Sequence, residues 1–256
     1  MPKELPLLTP RNTVQIMMMA VILAGALLRG VQHRLARYIP ELQGFCPVGA
    51  VQTLFRFVSS PSLMLEADRS HFWVILGVLS TALLFGAVFC SYLCPLGTLQ
   101  EWMGRAGRRI MKHKFNRPVS QRADVLLGML RYLFILWIAL AVFGIISFNL
   151  DLVNPSSALA HIWTQSAAPA AIALLGVILV LSLLYERPWC RWLCPYGLIL
   201  GLLGKFSLLK LRRFQSLCIN CGTCDRSCYA RIPVSQVQRV THSRCISCGV
   251  CTSACP

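Results

Sequence analysis

The sequence predicts an α-helical membrane protein with four transmembrane helices arranged as two pseudo-repeats, followed by a small cysteine-rich α+β domain. Three observations carry this. The 256-residue chain is 56% hydrophobic, above the roughly 45–50% usual for soluble domains, and its mean hydropathy is +0.61. A short motif, CxxxCPxG, closes two apolar stretches one hundred residues apart, at Cys90 and Cys190. Eight of the 13 cysteines crowd into residues 218–255.

The cysteine-rich end is the most specific signal. It reads Cys218-x2-Cys221-x2-Cys224-x3-Cys228, then Cys245-x2-Cys248-x2-Cys251-x3-Cys255-Pro256. In this spacing three cysteines on a tight loop hold three irons of one cubane, and the fourth is carried away to the other cluster. Cys218, Cys221, Cys224 and Cys255 are therefore expected to hold one [4Fe–4S] cluster, and Cys245, Cys248, Cys251 and Cys228 a second. The domain is thus a dicluster ferredoxin-like one. Disulfides would need an oxidising compartment. Zinc usually takes two CxxC pairs and has no use for the fourth cysteine of each run. Gly222 and Gly249 follow the second cysteine of each run, where a loop must hug inorganic sulfide.

Residues 1–12 are a polar, proline-bearing lead-in. Val14 to Leu28 is apolar; no small-x-small cleavage site follows, and Arg29, His33, Arg34 and Arg37 do, so it reads as a first span and not a signal peptide. A clean apolar span follows over 71–93, long enough to cross a bilayer. Between 101 and 122 lie Arg105, Arg108, Arg109, Lys112, Lys114, Arg117 and Arg122 against Glu101 alone. That is the charge bias of a cytoplasmic loop. Asn149 to Pro169 carries no Lys or Arg, as an outer loop would. The expected organisation is a first membrane repeat over 13–100 with spans near 14–30 and 71–93, a basic cytoplasmic loop over 101–124, a second repeat over 125–211 with spans near 125–148 and 170–186, and the cluster domain over 212–256. Both termini and the cluster domain then face the cytoplasm, whose reducing conditions suit clusters and disfavour disulfides.

Each repeat reads helix, outer loop, helix, CxxxCPxG, amphipathic segment. A weaker third copy is Phe45-Cys46-Pro47-Val48-Gly49, where Leu42 replaces the first cysteine. Cysteines at i and i+4 share one face of a helix end. Pro interrupts the helix, and Gly two positions later permits a tight turn. Cys90, Cys94, Cys190 and Cys194 are therefore candidate ligands of a third metal or iron–sulfur centre; the bland alternative is small buried side chains at helix ends. For Cys46 the bland reading is preferred.

The net charge of +16 does not indicate nucleic acid, because the basic residues sit in loops beside apolar spans and no aromatic-interleaved groove is visible. None of the histidines His33, His71, His113, His161 and His242 lies mid-span, which argues against haem b. Asp124, Asp151 and Glu186 are at span ends, which argues against a proton pump. If quinol is oxidised here, a base near an interface must take its protons. Candidates are His33, His71, Asp151 and His161 on the outer side, and Glu101 and Glu186 on the inner side; each reads more simply as an ordinary interfacial polar residue. Trp73, Trp137, Trp163, Trp189 and Trp192 read as interface anchors or packing.

The paired CxxxCP motifs at Cys90–Pro95 and Cys190–Pro195, with the twin cluster motifs at Cys218–Cys228 and Cys245–Cys255, resemble the membrane-bound polyferredoxins of the NapH, MauN and NosR/CcoG type over nearly the whole chain. In size and layout the resemblance is greatest to NapH, the quinol dehydrogenase membrane subunit. It implies a multi-pass protein of the bacterial inner membrane that passes electrons from the quinone pool to a ferredoxin-like or oxidoreductase partner. Such a subunit would act as a quinol dehydrogenase only within a complex. Two features depart from the pattern. Tyr229, not Pro, follows Cys228. The module normally runs on into a closing strand, so the edge after Pro256 is expected to be covered by further chain or by a partner. The alternative function is a maturation factor whose Cys90, Cys94, Cys190 and Cys194 thiols reduce a metal or cofactor during assembly of another enzyme. A redox sensor ranks last, since no signalling domain is recognisable.

Overall fold

The computed structural model describes residues 10–31, 66–111, 115–116, 120–143, 145, 154–161 and 168–256. Cys46 and its motif, His33, His113, Asp151 and Trp163 lie outside these, and His71 and His161 are described by backbone alone.

Helix α1 spans Pro10–Val31 and α2 Glu66–Phe85. A one-turn helix α3, Val88–Tyr92, leads into α4, Pro95–Met111. Helix α5 covers Gln121–Val142 and α6 Pro155–His161. Then α7, Pro169–Leu184, leads through one-turn α8, Pro188–Trp192, into α9, Pro195–Gly204. Helices α3 and α8 occupy equivalent positions one hundred residues apart, as do the starts of α4 and α9. The repeat seen in the motifs is thus a repeat of helix, one-turn helix and helix. Proline sets the break: it costs nothing at the first position of a helix, where no intrahelical N–H bond is lost. Pro95 and Pro195 accordingly start α4 and α9.

The expected tight turn at the motif glycines does not form. Gly97 and Gly197 lie inside α4 and α9. At Gly97 the requirement is space: a Cβ there would stand 3.0 Å from the Cys90 carbonyl oxygen and 3.4 Å from Arg187 Nη1.

Helix α4 packs along α7, α9 against α2 and α5, and α1 against α3 and α4. Ile75, Val78 and Ala82 of α2, Phe89 and Leu96, Ile138 of α5, Leu175 and Ile178 of α7, and Leu200 of α9 form one core. Among the described residues one helix segment, Arg122–Ala141, is long and apolar enough to cross a membrane. Its Leu126, Met129 and Leu133 are left exposed, and contiguous apolar surface of this kind marks a membrane or partner contact. The 16 residues of α7 reach only about 24 Å at 1.5 Å per residue, short of a hydrocarbon core of about 30 Å. Helix α2 opens with Glu66, Asp68 and Arg69, leaving Ile75–Phe85 as its apolar part.

The C-terminal region is not α+β. Its β component is a single antiparallel bridge between Arg212 and Arg239, with Arg213 N–H donating to Gln238 O at 2.9 Å and Val240 N–H to Leu211 O at 3.0 Å. Pairing stops there because the 3-10 turn Gln215–Leu217 closes in just after one paired segment and the 3-10 turn Val234–Gln236 just before the other. A small core of Ala230, Ile232, Val234 and Val240 holds the region, with Cys224, Cys228, Cys245 and Cys251 packed on it. It docks where α9 offers no side chain: a Cβ on Gly201 would lie 1.9 Å from the Ser243 carbonyl oxygen.

Gly201→Val should therefore weaken this docking by about 1–3 kcal/mol, the cost of overpacking. Limited proteolysis of the full chain checks it. Cleavage near residues 205–215 is expected to accelerate by about tenfold per 1.4 kcal/mol, since it tracks the open population. An unchanged rate would show that the close approach does not hold the two parts together.

Candidate functional site

The two CxxxCP motifs meet. Cys90, Cys94, Cys190 and Cys194 line one cavity of about 30 Å³ and lie within electrostatic reach of one another. Each motif is locked by the other. Gln100, one turn beyond Gly97 in α4, accepts from Trp189 N–H at 3.1 Å through Oε1, and its Nε2 stands 3.6 Å from Cys190 Sγ. In return Arg187 Nη1 donates to the Cys90 carbonyl at 2.8 Å. Phe89 and Tyr196 close the cavity edge to face, 5.9 Å between centroids. The Cys194 thiol caps α9 by accepting from Gly197 N–H at 3.4 Å.

A buried carboxylate supports this arrangement. Glu101 is 4% exposed and pairs with Arg11, with Arg187 and, at 2.7 Å, with Arg105. Burial alone would raise its pKa; Arg187, Arg11 and Arg105 overrule that and hold it down at about 2. Arg11 continues to the cysteine-rich domain, donating to the Cys248 carbonyl at 3.1 Å. A second node is Asp124 of α5. It accepts from Arg191 Nε at 3.0 Å and Trp192 Nε1 at 2.9 Å, and it pairs with Arg244. Glu101 and Glu186 are thus not free bases: Glu101 is held by three arginines, and Glu186 pairs with Arg108 at 2.6 Å. Trp189 and Trp192 are buried packing residues.

In the C-terminal region the structure brings Cys228, Cys245, Cys248 and Cys251 together. Burial first, then the neighbouring thiols, push Cys228 up to about 11 and Cys251 up to about 12. Packed thiols resist ionising together unless a metal supplies positive charge. The other set is more open. Cys221 and Cys255 are exposed, and Cys218 and Cys224 half-buried. Arg213 Nη1 stands 3.4 Å from Cys218 Sγ.

The donor set fits iron–sulfur clusters on three counts. The donors are thiols, in two loops with the same pair of left-handed residues flanking the second cysteine. Such turns aim successive N–H groups inward at an anion. Among the described residues no three His, Cys, Asp or Glu side chains converge on a single ion. Among the described residues the buried guanidiniums of Arg11 and Arg187 pair with Glu101 and that of Arg191 with Asp124, while buried Arg131 pairs with no carboxylate. Metal–thiolate clusters are anions that would balance them.

Sequence reasoning gave no role to Tyr229 or Arg131, among others. Tyr229 stands where Pro is usual; it fills the gap between the two cysteine sets, with Arg187 over its ring at 6.0 Å and its hydroxyl donating to Arg244 O at 2.9 Å. The departure from Pro was its only signal. Arg131, a cation inside the apolar α5, carried a plainer one, because charges inside spans are rare and functional.

A family model described as a 4Fe–4S binding domain matches residues 71–118 and again 167–214, and a 4Fe–4S dicluster domain matches residues 210–256. The chain is 28% identical to the putative electron transport protein YccM of Escherichia coli, covering 84% of this chain and 61% of that one. It is 30% identical to the methylamine utilization ferredoxin-type protein MauN of Paracoccus denitrificans, covering 67% and 61%. It is 30% identical to the ferredoxin-type protein NapH of Haemophilus influenzae, covering 63% and 53%. The chain spans about three fifths of the length of these relatives. No solved structure matches.

Replacing Glu101 by Gln strands Arg11 and Arg187 without a buried counter-charge, which should cost about 3–5 kcal/mol. Because the carboxyl is depressed in the folded state, its contribution is complete above the ordinary value of 4.5 and is lost as pH falls toward about 2. Thermal unfolding in detergent should show a lower midpoint for Glu101→Gln at neutral pH and no further loss from this site on acidification. Equal midpoints at pH 7 would count against the node.

Proposed function

The chain belongs to the MauN, NapH and NosR-type family of ferredoxin-type [4Fe–4S] proteins, and on that premise we propose that it is a membrane-bound iron–sulfur relay passing electrons from quinol to a partner oxidoreductase. Four spans in two repeats would anchor it in the bacterial inner membrane, with the basic 101–124 loop and the 212–256 domain in the cytoplasm. Cys228, Cys245, Cys248 and Cys251 would hold one cluster, and Cys218, Cys221, Cys224 and Cys255 the other. Cys90, Cys94, Cys190 and Cys194 would hold a third centre shared between the repeats. Each cluster supplies a one-electron step, so a two-electron quinol can be emptied in turn.

The observation that carries this reading is adjacency. The CxxxCP thiols and the Cys228 set are separated by Tyr229, Arg187 and Ile246, and the cavity lined by the first also touches Tyr229 and Ile246. The Tyr229 ring and the Phe89–Tyr196 pair line that cavity, and Arg187 holds positive charge over the Tyr229 ring. The exposed Cys221 and Cys255 put the remaining cluster at the surface, where a partner would meet it. Protons released by quinol need an acceptor other than Glu101 and Glu186, whose carboxylates are committed to arginines. The maturation reading loses support because Cys94 and Cys194 are buried, which keeps an external metal from them.

The test is electron paramagnetic resonance on anaerobically purified full chain, before and after a reduced quinol analogue, with iron analysis. Cluster signals on quinol addition, and more than about eight irons per chain, the sum of two cubanes, are expected. Cys190→Ser should lose the excess iron and keep the rest. Signals that appear with dithionite but never with quinol would remove quinol oxidation from this chain.

A further inference from the structure

We propose that Arg131 is the built-in counter-charge of the Cys90, Cys94, Cys190 and Cys194 centre and raises its reduction potential above that of an otherwise identical uncharged site. This rests on the reading of those four cysteines as a shared metal centre. Arg131 lies on α5, inside the segment apolar enough to cross a membrane. It is 5% exposed. A buried guanidinium costs several kcal/mol unless an anion faces it, yet among the described residues no carboxylate pairs with it. Its Nη2 donates to the Arg191 carbonyl, and its Nε has no hydrogen-bond partner. It lines the four-cysteine cavity and lies within electrostatic reach of Cys194 and Tyr229.

The internal repeat shows what the charge is not for. In the first half, Gln15 of α1 donates through Nε2 to the Ser91 carbonyl at 2.8 Å. Ser91 follows Cys90 as Arg191 follows Cys190. A neutral amide therefore suffices to satisfy that carbonyl, and the guanidinium charge in the second half is surplus to the hydrogen bond. The remaining anion for it to face is the metal–thiolate centre. A fixed cation beside a site that gains an electron favours the reduced form and raises the potential, and it does so strongly at low local dielectric.

Arg131→Gln copies the arrangement of the first repeat and removes only the charge. The experiment is iron and sulfide analysis with an electron paramagnetic resonance redox titration of the full-length protein in detergent, with mediators and dithionite supplying the electrons. The midpoint that disappears in Cys190→Ser identifies the centre. Arg131→Gln should keep the iron content and shift that midpoint alone to lower potential; Arg131→Lys should return most of the shift. An unmoved midpoint, or all midpoints moving together, overturns the proposal while leaving the shared centre intact. A wild type with no more than about eight irons per chain, the content of two cubanes, overturns the shared centre and this inference with it. If Arg131→Gln loses the centre outright, retention in Arg131→Lys supports the charge requirement and equal loss overturns it.

Discussion

The structure depends on one carboxylate. Glu101 is buried among Arg11, Arg187 and Arg105, and each arginine brings a different part of the chain. Arg11 ties in α1 and, through the Cys248 carbonyl, the cysteine-rich domain. Arg187 ties in the second repeat and, through the Cys90 carbonyl, the first. A lysine would do this less well: the planar guanidinium holds its donors to a carboxylate and a carbonyl in a fixed fork, whereas an ammonium is compact and strongly hydrated. The gain is geometric more than energetic, since a buried ion pair roughly balances its own desolvation. It places the halves of the four-cysteine site in a single register.

Asp124 repeats the device on the other side, joining α5 to Arg191 of the second motif and Arg244 of the cysteine-rich domain. Two carboxylates thus organise a region rich in buried arginine, and cation remains in excess. In a chain reading as a thiolate-cluster protein this excess is expected, because the cluster's own negative charge belongs to the balance. Bare thiols here resist ionisation, because burial first and the neighbouring thiols second raise Cys228 and Cys251.

Much of this was legible in the sequence. Cysteine spacing located both loops, and Cys228, expected to leave its own loop, packs with Cys245, Cys248 and Cys251. The hundred-residue offset of the CxxxCP motifs announced that two halves would face each other. What stayed hidden were long-range partners. Glu101 looked like a stray acid in a basic loop, and nothing local says that Arg11, ninety positions away, closes on it. The basic residues themselves read as a topological bias, yet Arg105 and Arg108 are committed to Glu101 and Glu186. The strands expected of the C-terminal domain failed for a local reason, since 3-10 turns at Gln215–Leu217 and Val234–Gln236 bound the one antiparallel bridge.

The repeat supplies the four thiols, and its departures from symmetry supply the connections. Where the halves agree, at Cys90 and Cys190, Cys94 and Cys194, Pro95 and Pro195, Gly97 and Gly197, the residues build the site. Where they differ, the residues reach outward. Ala87 becomes Arg187, which meets Glu101 and the ring of Tyr229. Ser91 becomes Arg191, which holds Asp124 and through it Arg244. Leu96 becomes Tyr196, which packs on Phe89 of the other half. Glu101 becomes Gly201, and the missing side chain is the space that Ser243 occupies. Two identical halves would enclose a site with two equivalent faces. Three of these differences, at Arg187, Arg191 and Gly201, give it one face turned to the cysteine-rich domain.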